Sequence, residues 1–117
     1  MSIKKWKIGD VTVIELKGEL GHSRMAAVKN ALNSLMAAGE TRVVLDLHKV
    51  KGASLMHVGV LVEEMRKLRR HGGDLKLVGM GDELCRVFDG LGTGEVFCRF
   101  KMVDDAVADF GDEGDGS

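Results

Sequence analysis

The chain has 117 residues and a net charge of -1, with 44% hydrophobic and 30% charged residues. That length holds one core rather than two, and the composition excludes a disordered chain. The balanced charge and an aromatic content of 4% argue against a nucleic-acid binder, which needs a basic excess and stacking platforms.

Residues 4–16 alternate: Trp6 with Ile8, Val11 with Val13 and, after a change of phase, Ile14 with Leu16. Gly9-Asp10 between the two halves predicts a hairpin closed by a primed turn. Gly18 and Gly21 break the second strand. From Ser23 the period becomes helical, with Met25, Val28, Leu32, Leu35 and Met36 on one stripe. Ser23 is the expected N-cap and Gly39 the expected stop. Residues 42–47 (RVVLDL) read as an interior strand covered on both faces.

A second helix follows residues 51–53, with Ser54 as its N-cap. Val58, Leu61, Val62, Met65 and Leu68 form its apolar stripe. Glu63, Glu64, Lys67, Arg70 and His71 fall on the opposite face, with Glu63 and Lys67 as an i,i+4 pair. His71 suits the helix C-terminus, and Gly72-Gly73 ends the helix. Residues 75–80 read as a strand and residues 82–91 as a helix with Leu84, Val87, Phe88 and Leu91 inward. Gly90, Gly92 and Gly94 mark its exit. Residues 96–100 (VFCRF) read as a short strand, and residues 103–110 as a last helix with Asp104 and Asp105 in its first turn. The expected domain is residues 1–110, followed by an acidic, disordered tail over 111–117.

The order β-β-α-β-α-β-α-β-α predicts an α/β fold: a mixed, mostly parallel sheet of about five strands with four helices. The loops at residues 21–23, 52–57 and 79–82 then meet at one sheet edge, where α/β domains receive ligands and partners.

The chemistry at that edge is sparse. The glycines at 90, 92 and 94 follow a helix rather than a strand, so they form no phosphate loop. His22, His48, His57 and His71 sit on separate elements. No G-x-S-x-G turn surrounds Ser23 or Ser54 and no carboxylate is spaced to orient a base, so the serines read as helix caps and the histidines as exposed loop residues. Cys85 and Cys98 lack CxxC or ligand spacing, and Cys85 reads as a core or half-buried thiol. No metal site, cofactor or catalytic residue is expected. No apolar run reaches the ~20 residues of a membrane helix, and MSIKKWKIGD lacks the apolar core of a signal peptide, so a cytoplasmic location without membrane insertion is expected.

Residues 42–73 (RVVLDLHKVKGASLMHVGVLVEEMRKLRRHGG) resemble STAS domains, the fold of anti-sigma factor antagonists. The strand LKLVG with the helix RVFDGLG, and VTVIELKGEL before ALNSLMAAGETRVVLDL, fit the same pattern. The resemblance covers residues 4–110. In the family, an Asp-Ser-Ser-Gly-Leu-Gly segment opens the second helix, and its second serine is phosphorylated by a partner kinase that is also the anti-sigma factor. Here the segment reads Ser54-Leu55-Met56-His57-Val58-Gly59. Met56 stands at the phosphoacceptor position and His57 at the following glycine. A serine survives two positions early, Ser54, and its place suits a helix cap better than a phosphoacceptor.

The resemblance implies a regulatory protein-binding module without chemistry of its own, whose partner is an anti-sigma factor or serine kinase. Its expected contact residues are Gly21, His22, Ser23, Ser54, Leu55, Met56, His57 and Val58. Phosphate at that helix start adds nearly two negative charges and expels the partner, and Met56 cannot be charged in this way. The alternative is a STAS subunit of a lipid-transport ATPase complex or of a stress-signalling scaffold. The opening hairpin leaves a strand at the sheet edge with Lys4, Lys5 and Lys7 guarding it, which suits a monomer or a weak dimer.

Overall fold

The computed structural model describes residues 3–90 and 97–115. In chain order the elements are β1 (Lys4–Ile8), β2 (Val11–Glu19), α1 (His22–Ala37), β3 (Arg42–Gly52), α2 (Leu55–Arg70), β4 (Asp74–Val78), α3 (Asp82–Gly90), β5 (Arg99–Phe100) and α4 (Val103–Asp115). They build one five-stranded sheet in the order β1-β2-β3-β4-β5. β1 and β2 are antiparallel, and the remaining pairs are parallel. This is the mixed, mostly parallel sheet with four helices that the alternation predicts.

Period-two patterning divides the sheet into two faces. Ile14 and Leu16, Val43, Leu45 and Leu47, and Leu75 and Leu77 point into the larger core beneath α1, α2 and α3. Val11, Val13, Val44 and Val78 point the other way, against Ala106 and Phe110 of α4. Lys76 shares this second face and is fully buried there. α4 does not cover the outer strand: Trp6 and Ile8, cross-strand from Val13 and Val11, are each 38% exposed.

Turn chemistry sets the boundaries. Gly9 has φ 61 while Asp10 stays at negative φ, the pattern of a type II′ hairpin turn. Both long helices end in Schellman motifs. Glu40 N–H donates to Leu35 C=O and Gly39 N–H to Met36 C=O. Likewise Gly73 N–H donates to Leu68 C=O and Gly72 N–H to Arg69 C=O.

Several boundaries differ from the sequence reading. Gly21, not Ser23, caps α1, and Ser23 lies inside the first turn. A glycine at that position leaves the entering backbone free and offers no side chain to read. β3 runs on to Gly52 because residues 49–52 keep pairing with the end of β2, with register shifts around Gly18. His48 therefore lies on a strand, not in a loop. β5 holds Arg99–Phe100, shorter than the expected strand. Leu91, Gly92, Gly94 and Val96 lie outside the described residues. α4 continues past Phe110 to Asp115, through most of the segment read as a tail.

Candidate functional site

The C-terminal ends of β2, β3 and β4 bring their following loops to one edge of the sheet. Gly21 caps α1 there, and Ser54 caps α2. A cavity of about 390 Å³ joins them, lined by Gly21 and Leu20 from one loop, Gly52 to Ser54 and His57 from the next, and Glu83 at the start of α3. A neighbouring cavity of about 190 Å³ brings His22 of α1 against Met56, His57 and Val60 of α2.

Ser54 and His57 form a reciprocal pair at the start of α2. The Ser54 backbone N–H donates to His57 Nδ1 at 3.4 Å, and Ser54 Oγ lies 3.1 Å from the same nitrogen. This is a capping box with histidine in the place usually held by Glu or Gln. Because Nδ1 accepts, the ring proton belongs on Nε2. His57 is thus a correction to the exposed loop residue expected: it lies on α2, 9% exposed, and its Nε2 is buried with no hydrogen-bond partner among the described residues. Among the described residues no carboxylate bonds the ring, so the pair caps a helix rather than poising a nucleophile. The His57 and His22 rings stand edge to face at 83°, with 5.5 Å between centroids. Ser54→Ala removes half of the box and should cost about 1 kcal/mol. Thermal denaturation should read this as a melting temperature lower by a few degrees; an unchanged value would show that the box contributes no stability.

Leu55 and Met56 open α2 with their side chains in solvent, 54% and 64% exposed. Helical periodicity explains this: Val58, Leu61, Met65 and Leu68 turn into the core, which leaves positions 55 and 56 outside. Of the expected contact residues, Gly21, His22, Ser54, Met56 and His57 gather around the two cavities. Ser23 and Leu55 are exposed but line neither. Val58 is a correction. It is fully buried in the core, so it supports the rim from beneath and presents nothing to a partner.

A third cavity, about 390 Å³, runs between α1 and α2 past Lys29, Met56, Gly59, Val60 and Glu64. Glu64 is a further correction to the face expected from its charge. It is 1% exposed rather than on the solvated face. Its position, three after Leu61 and four before Leu68, repeats the buried spacing, and only its charge hid it. Lys67 lies 3.3 Å from Glu64, not in the expected pair with Glu63.

The other polar groups are structural. His71 donates from Nδ1 to Lys67 C=O at 2.8 Å, holding the end of α2. His48 Nδ1 lies 2.6 Å from Asp46 Oδ1, and the ring packs over Gly79. Cys85 and Cys98 are free and half-buried. Burial pushes the Cys98 thiol above its ordinary value, with the Lys76 ammonium opposing it. This keeps the thiol protonated and weakly nucleophilic at neutral pH. Among the described residues, no helix is long and apolar enough to cross a membrane, and no three His, Cys, Asp or Glu side chains cluster as a metal ion would require.

Known structures share this fold at low sequence identity. An anti-sigma factor antagonist from Mycobacterium paratuberculosis is 21% identical over 92% of this chain and 91% of its own, with a TM-score of 0.80. The anti-sigma factor antagonist SpoIIAA in its unphosphorylated form is 19% identical over 91% of this chain and 93% of its own, with a TM-score of 0.79. A serine-to-glutamate variant of RsbS from Moorella thermoacetica is 15% identical over 97% of this chain and 98% of its own, with a TM-score of 0.83. No curated protein sequence matches the chain. The family model for the STAS domain matches residues 2–107, nearly the whole length, and the chain belongs to the STAS domain family.

Proposed function

We propose that this STAS domain is a regulatory docking module of the anti-sigma factor antagonist kind. It receives a protein partner, an anti-sigma factor or serine kinase, on the rim where α2 begins, and it carries no phosphate switch at the family position. The observation that supports this reading most directly is the exposure of Leu55 and Met56, 54% and 64%, on a helix whose other large apolar side chains pack into or against the core. Covering two large apolar side chains that are held in water, Met56 beside two of the cavities, lowers the free energy when a partner docks. Methionine also adapts its shape to the surface it meets. Ser54 turns its hydroxyl into the capping box, which supports reading it as a helix cap rather than as a phosphoacceptor.

Met56→Asp tests this. Met56 is the second residue of α2, where a carboxylate suits the positive end of the helix dipole, so the fold should persist. A carboxylate at the centre of an apolar contact should weaken capture by about 30-fold or more. The measurement is affinity capture from a lysate of the source cell with both proteins, read by mass spectrometry. Recovery of a small ATP-binding kinase or anti-sigma factor, lost with Met56→Asp, supports the reading. Equal capture by a normally folded Met56→Asp defeats it. Recovery of lipid-transport ATPase or scaffold subunits instead replaces the anti-sigma link with the alternative STAS role.

A further inference from the structure

Among the described residues, Glu64 is the buried carboxylate whose two oxygens both lack a hydrogen bond. Its nearest cation is the Lys67 ammonium, 3.3 Å from Oε2, whose side chain is itself one-third exposed. Buried carboxylates are normally supplied with donors, because desolvating an unmet charge is costly. Glu64 instead lines the groove between α1 and α2. Gly59 lines it too, and the space beside its Cα is open, since a Cβ there would meet nothing within 4 Å. At the other end of the same helix face lies the second unmet group, the buried Nε2 of His57. Seven residues separate them, about 10 Å along a helix. The wall between is apolar, made by Met56 and Val60, which line both cavities.

An acceptor at one end, a donor at the other and an apolar wall between them fit one kind of guest. We infer that the α1–α2 groove takes an arginine side chain from the docking partner, its guanidinium on Glu64 and its aliphatic stem along Met56 and Val60, with a backbone carbonyl accepting from His57 Nε2. The inference deepens the docking reading above and rests on it for the identity of the guest as part of a protein. A planar guanidinium can serve both carboxylate oxygens, which a lysine ammonium does less well. Lys67 leaves Oε2 for water as the guest arrives, and its exposed stem permits this. Lys29 and Lys67 line the groove as well and would suit an anion, but the carboxylates of Glu63 and Glu64 line it too, and the buried one is Glu64.

The test uses the full chain and two peptides, N-acetyl-leucyl-arginine-amide and its neutral isostere with citrulline in place of arginine. Both are titrated into ¹⁵N-labelled protein, with inorganic phosphate as a third probe. The arginine peptide should give saturable shifts centred on Gly59, Val60 and Glu64. The citrulline peptide should bind about tenfold more weakly, the value of one charge-assisted contact. Glu64→Gln should erase the difference between the peptides. Gly59→Leu should fill the groove and abolish binding, and its better helix propensity keeps the fold intact. Equal binding of the two peptides, no saturable shift, or shifts produced by phosphate instead would overturn the inference. These outcomes leave the docking reading standing if Met56→Asp still loses capture. Loss of the docking reading alone would leave arginine selectivity visible in the titration.

Discussion

Gly73→Ala should be among the most damaging single substitutions in this protein. A Cβ built on Gly73 would lie 1.8 Å from the Thr41 carbonyl oxygen and 2.4 Å from its carbonyl carbon. The obstacle is backbone, so no rotamer change relieves it. The contact sits where β3 and β4 begin to pair: Arg42 stands opposite Asp74, and Asp74 N–H donates to Thr41 C=O at 3.0 Å. Gly73 N–H also closes the Schellman motif of α2 on Leu68 C=O. Accommodating the methyl group must therefore part the strands, open the helix end, or both. We expect a loss of at least about 3 kcal/mol, which lowers the melting temperature by about 10 °C in a domain of this size. Gly72→Ala is the matched control. Gly72 has φ 85 but open space around its Cβ position, so its substitution carries only the left-handed backbone cost, about 1 kcal/mol. Circular dichroism melts of both variants decide the matter. Equal losses would mean that the close approach to Thr41 contributes nothing.

The Gly72-Gly73 pair also marks how far the sequence could be read. Two glycines after a helical stripe announce a stop, and the stop is there. Nothing local distinguishes the first, needed for its positive φ, from the second, needed for its missing side chain. That second need comes from Thr41, over thirty residues away. The alternation of β1 and β2, the stripes of α1 and α2 and the α/β order were legible because one-dimensional periodicity encodes burial. The second half of β3 was not: HKVKG looks like a loop, and only pairing with the end of β2 makes it a strand. The cap of α1 was missed because Gly21 offers no polar side chain to compete with Ser23 for the assignment.

The rim at α2 divides in the same way. Ser54 as N-cap and Met56 in solvent follow from local spacing and from the exposed start of an amphipathic helix. His57 as the reciprocal partner of Ser54 does not, since imidazole stands where a carboxylate or amide is usual. Glu64 is the clearest case, because spacing placed it inside and charge placed it outside, and the fold followed spacing. Where those two signals conflict and only a part-exposed lysine answers the charge, the residue carries more information than either rule alone.

The second large effect lies on the opposite face of the sheet, where the same conflict is resolved within the chain. Lys76 is fully buried, with Nζ 2.5 Å from Asp109 Oδ2 and 4.4 Å from the Phe110 ring centroid. Asp109→Ala removes the carboxylate that makes this ammonium tolerable. The cost should be about 3 kcal/mol, at the low end for a broken buried pair because Asp109 is 37% exposed and water can follow. Lys76→Met has a different sign of expectation. It keeps the length, removes the charge from the interior and should be neutral or stabilising. The double variant should regain most of what Asp109→Ala loses, a coupling that a double-mutant cycle measures directly by urea denaturation. If Lys76→Met proves as harmful as Asp109→Ala, the ammonium is valuable in itself and the pairing account fails. Because α4 and Lys76 lie across the sheet from α1 and α2, Asp109→Ala should leave partner capture unchanged well below its melting temperature, whereas Met56→Asp should leave the melting temperature and lose the partner.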